Sequence, residues 1–142
     1  MRVRILISLM VLLLVPVFAA AQTQFHDQMR IDLPFGFVAG EQRMPAGTYI
    51  VTEREGNGIV LRSLDGKANL QFIAIPKNVD RRTAALAEPV AKMVFRRYGT
   101  HAYFLTELSL EGAHTWALQA SPMEGEYQRA GVGVTRVVVA GK

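Results

Sequence analysis

The chain has 142 residues, half of them hydrophobic, with 16 basic side chains against 12 acidic ones, a net charge of +4, and no cysteine. That length fits a single domain, and the missing cysteines exclude disulfides, thiol nucleophiles and cysteine-ligated metals. The sequence pI near 9.8 invites a nucleic-acid reading, which the placement of the charges removes.

The opening stretch MRVRILISLMVLLLVPVFAAAQ joins Arg2 and Arg4 to an apolar run from Ile5 to Phe18 and small residues at Ala19 to Ala21. This pattern predicts a signal peptide over 1–21 and a single β-domain over 22–142. The apolar run is shorter than the ~18 residues read as a membrane span, so no stable span is expected after cleavage. Export places the domain in the periplasm or the medium. Removing Arg2 and Arg4 leaves 14 basic residues against 12 acidic ones, a balance of +2. Nucleic acid is therefore not an expected partner.

From Met29 the apolar residues alternate, at Met29, Ile31, Leu33, Phe35 and Phe37, the period of a strand with one buried face. Pro34 lacks an N–H, so an edge strand or a bend is expected there. Pro45 and Gly47 then form a turn before the strand Thr48 to Arg54. Gly56, Asn57 and Gly58 turn into Ile59–Ser63, and Asp65–Gly66 predicts a two-residue hairpin into Ala68–Ile75, ended by Pro76. Lys77 to Pro89 reads as one long loop with a helical turn at most. A second hairpin runs from Ala91 to Leu108 through a turn at Tyr98 to Thr100, and a turn at Gly112 leads to a short strand around Trp116. Ser121 and Pro122 mark a possible helix start that Gly125 weakens, and VTRVVVAGK closes the chain as a strand. Together these elements predict an all-β fold, a single antiparallel sandwich or small barrel of about seven to eight strands, with one long loop and at most a short helix.

Candidate chemistry is sparse. His26, His101 and His114 share no metal-ligand spacing, Ser63 and Ser109 lie in no nucleophile motif, and the pairs Glu53/Glu55 and Glu107/Glu111 are of the kind common on solvated faces. No catalytic, metal or cofactor residue is expected. The uneven feature is charge, because Lys77, Arg81, Arg82, Lys92, Arg96 and Arg97 meet only Asp80 and Glu88 between Lys77 and Arg97, a local excess of +4. That loop and hairpin form the candidate anion-binding surface, for an anionic polysaccharide or another envelope component. The alternative is an apolar ligand enclosed by Phe35, Phe37, Phe72, Phe95 and Phe104. The oligomeric state stays open.

The segments LPFGFVAG, MPAGTYIV, LRSLDGKA and KMVFRRYGTHAYFLTEL resemble a group of small exported bacterial proteins, over about residues 31–108. The resemblance implies a single β-domain and brings no catalytic residues with it.

Overall fold

A computed structural model of the chain describes residues 28–77, 91–110 and 115–142. The expected leader, His26, His114, the turn at Gly112, and most of the long loop with Arg81 and Arg82 lie outside the described residues. Among those described, no helix is long and apolar enough to cross a membrane.

The fold is all-β, with two sheets around a shared core. The smaller sheet has the order β1–β4–β5–β6, from β1 (Gln28–Leu33), β4 (Gly47–Arg54), β5 (Gly58–Ser63) and β6 (Asn69–Ile73). The larger has the order β11–β8–β9–β10–β7, from β7 (Ile75–Lys77), β8 (Lys92–Tyr98), β9 (Ala102–Ser109), β10 (Thr115–Ala117) and β11 (Val134–Ala140). A hairpin of β2 (Phe37–Ala39) and β3 (Gln42–Met44) joins the larger sheet where β2 runs parallel to β9 at Val38 and Phe104. The helix α1 (Pro122–Arg129) lies between β10 and β11 in the chain.

Alternation sets the inner faces. Met29, Ile31 and Leu33 of β1, Tyr49 and Val51 of β4, and Ile59 and Leu61 of β5 pack against Met93 and Phe95 of β8, Leu108 of β9 and Trp116 of β10. Phe95 meets Phe35 and Phe37 edge to face at 5.2 and 5.4 Å. Phe72 packs at the core's margin, whereas Phe104 belongs to a second apolar cluster with Val38 and Tyr98. The C-terminal residues close one seam, since Arg30 and Lys142 exchange backbone hydrogen bonds of 3.0 and 2.8 Å.

The bend expected at Pro34 is present: the alternating run from Met29 to Phe37 divides at Pro34–Gly36 into β1 and β2, and the chain passes there from one sheet to the other. Two local details differ from the sequence expectation. The Asp65–Gly66 turn has four residues between the paired ends, not two: Ser63 N–H donates to Ala68 O, and the Asp65 carboxylate accepts from Ser63 Oγ and Lys67 N–H. Gly66, at φ +74°, supplies the left-handed step this loop needs. Pro76 does not end the strand run; it sits inside β7, a sheet margin where a missing N–H costs nothing.

Candidate functional site

The register of the larger sheet sorts the basic residues by face. Lys92, Ser109, Thr115 and Lys77 lie in one row across β8, β9, β10 and β7, and Arg96, Phe104 and Arg136 in another. Both rows are on the outer face. Arg97 pairs with Tyr103 and Thr135 on the inner face instead, as alternation along the strand requires. Its Nε is buried without a hydrogen-bond partner.

Most of the outer cations are already paired. Lys77 Nζ lies 2.7 Å from Glu107, Arg136 Nη2 3.7 Å from the same carboxylate, and Arg96 Nη1 3.2 Å from Glu124. Lys92 forms no ion pair among the described residues. The structure thus brings together Lys77, Lys92 and Arg96 of the expected set and sends Arg97 to the other face.

Glu124 belongs to α1, which covers part of this outer face. The helix starts as its sequence allows, with Pro122 at its first position and Ser121 Oγ accepting from Glu124 N–H at 3.1 Å. Its first turn then buries Glu124, at 2% exposure, where the carboxylate accepts from Tyr98 Oη at 3.0 Å and from Arg96. Gln128 Nε2 donates to the same tyrosine oxygen at 3.1 Å. Tyr127 packs on Tyr98 and Phe104, with ring centroids 5.7 and 5.6 Å apart.

Docking α1 there leaves a cleft of about 510 Å³ between the helix, the β2–β3 hairpin and the β8–β9 turn. Its walls carry Tyr103, Phe104, Tyr127 and Met123, and its rim carries Arg43, Pro45 and His101. No carboxylate among the described residues lines it. Arg43 Nη2 reaches across to Met123 Sδ at 3.4 Å, and that thioether, a weak acceptor, is the only hydrogen-bond acceptor for the Arg43 side chain among the described residues. Tyr103 is fixed from behind by stacking on Phe35 at 3.9 Å. A second open cleft, of about 650 Å³, lies on the other side of Arg43, between the hairpin and β6.

Sequence reasoning missed this site because its parts come from three separate segments, around residues 36–45, 101–104 and 123–127. Trp116, the one tryptophan of the chain, takes no part in it: it is 1% exposed and packs in the core. Among the described residues, no group of three or more histidine, aspartate or glutamate side chains is placed to hold a metal ion. Compared with protein-family models, characterised proteins and solved structures, the chain matches none of them.

Proposed function

We propose that this chain is an exported, non-enzymatic β-domain that binds an acidic polysaccharide, with a uronate ring seated in the Arg43 cleft. One observation carries the reading: Arg43, with no carboxylate partner among the described residues, stands over aromatic walls in a cleft that none of the described acidic residues lines. A sugar ring offers an apolar face to stack on tyrosine and a carboxylate for the guanidinium, so both halves of the cleft have a use. The cleft's size lies in the range of roughly 300–1,000 Å³ typical of ligand sites. Its open rim lets a polymer enter and leave.

The outer cations stand in a secondary role. Lys77, Arg96 and Arg136 already share Glu107 and Glu124, so an incoming anion gains less from them than from Arg43. Lys92, with Arg81 and Arg82, extends the attraction along the chain.

The test is retention on immobilised polygalacturonate across a salt series. Arg43→Ala is expected to weaken binding about tenfold, close to 1.4 kcal/mol, while Lys77→Ala with Lys92→Ala changes it by less than about threefold, or 0.6 kcal/mol. Retention falls as salt rises, because the cleft opens to solvent. Full retention by Arg43→Ala would remove the cleft from the account, and loss only on changing Arg81 and Arg82 would return the site to the basic loop.

A further inference from the structure

The smaller sheet turns one face to the core and the other to solvent, and its solvent face is basic and aliphatic. Alternation places Arg30, Ile50 and Arg62 in one row across β1, β4 and β5, and Arg54, Gly58 and Ile73 in another across β4, β5 and β6. Val60 stands between the two rows on β5. None of the three arginines forms an ion pair among the described residues. The one carboxylate among the paired residues of this face, Asp32, already accepts from Thr48 Oγ1 at 2.6 Å.

Beyond Ile73 the chain crosses to the larger sheet through Ala74. That residue is buried, and its N–H donates to Asn57 O at 3.0 Å, so the crossing is pinned. The residues on either side of it point outward, Ile73 at 83% and Ile75 at 59% exposure. Single exposed apolar side chains are ordinary on protein surfaces, but here two β-branched ones share a fixed corner. Only Gly58, which has no side chain, separates Ile73 from Arg54 in its row.

We propose that this face docks on an anionic lipid bilayer, with Ile73 and Ile75 entering the headgroup boundary and Arg30, Arg54 and Arg62 lying over the lipid phosphates. Charge complementarity selects an anionic surface, near which each free guanidinium raises affinity about fivefold. The isoleucines select a bilayer over a soluble acidic polymer, because only a bilayer holds an apolar layer beneath its charges. Long aliphatic stems let the three guanidinium groups reach one plane above Ile50 and Val60. This inference does not rest on the polysaccharide reading, whose Arg43 cleft is built from other residues.

Co-sedimentation with vesicles tests it, using the chain purified after export and two lipid compositions, phosphatidylcholine alone and an equimolar mixture with phosphatidylglycerol. Binding is expected to be stronger on the anionic vesicles and to fall as salt rises. Arg54→Ala with Arg62→Ala is expected to weaken it about tenfold to thirtyfold, while Arg54→Lys with Arg62→Lys, which keeps the charge, stays within about threefold of the unaltered chain. Ile73→Ser with Ile75→Ser is expected to weaken it about tenfold and to leave retention on polygalacturonate unchanged. Arg43→Ala, the variant that tests the polysaccharide reading, is expected to bind vesicles as the unaltered chain does. No excess on the anionic vesicles overturns the proposal. So does anionic binding that survives either the alanine or the serine double substitution: loss with the arginines alone would assign this face to a soluble acidic polymer, and loss with the isoleucines alone to an apolar partner.

Discussion

Tyr49 shows how one side chain locks a turn. It is fully buried, and its hydroxyl donates to Pro45 O at 2.5 Å, fastening the bend between β3 and β4 that holds Arg43 and Pro45 at the cleft. Burial, and secondarily the charge of Asp65, push the phenol above its ordinary 10.0. A raised folded value means that this group's contribution is complete below pH 10 and is lost as pH rises through the folded value. Tyr49→Phe is expected to cost about 1–2 kcal/mol at pH 7 and to flatten the alkaline fall in stability, read by urea unfolding at both ends of that range. Asp65 acts at the opposite extreme. The hydrogen bond from Ser63, and then that from Lys67 N–H, lower its carboxyl below the ordinary 3.8, so its contribution is present above that value and lost as pH falls through the folded one. Ser63→Ala is expected to reduce the acid sensitivity of unfolding, and an unchanged acid limb would assign that loss to other carboxylates.

At the scale of the element, α1 depends on its contacts more than on its own sequence. Gly125 lies in its middle and most of its side chains are polar, so its place on the sheet rests on Ser121, Glu124, Gln128 and the Tyr127 ring. Ser121→Ala is expected to cost about 1 kcal/mol through the lost cap. Glu124→Ala leaves Tyr98 and Arg96 without their acceptor and is expected to cost about 2–3 kcal/mol, with a near-ultraviolet circular dichroism change as Tyr98 and Tyr127 loosen. A Glu124→Ala protein as stable as the unaltered chain would show that the helix docks on its aromatic contacts alone. The cap was legible in Ser121 and Pro122, but the burial of Glu124 was not, since its partners lie 26 and 28 residues away. The long strands were legible for the reverse reason, because alternation over six or more residues reports a buried face locally. Three-residue strands such as β2, β3 and β7 hold too little of that period to be seen. The Asp65–Gly66 loop misled because the Asp65 side chain takes hydrogen bonds that a two-residue turn would have made through the backbone.

Across the whole molecule, the charge excess between Lys77 and Arg97 reads differently once folded. Glu107 and Glu124, outside that stretch in the chain, come to lie against it, while Arg43 forms no ion pair among the described residues. A local count of charges cannot see either fact, because both arise from pairing across strands. The most direct measurement of the central claim is a titration of isotope-labelled protein with trigalacturonate, followed by backbone and arginine side-chain NMR signals. The account predicts shifts at the Arg43 side chain, His101, Tyr103 and Tyr127 that vanish in Arg43→Ala; shifts confined to Lys92 and Arg96, or none at all, would contradict it.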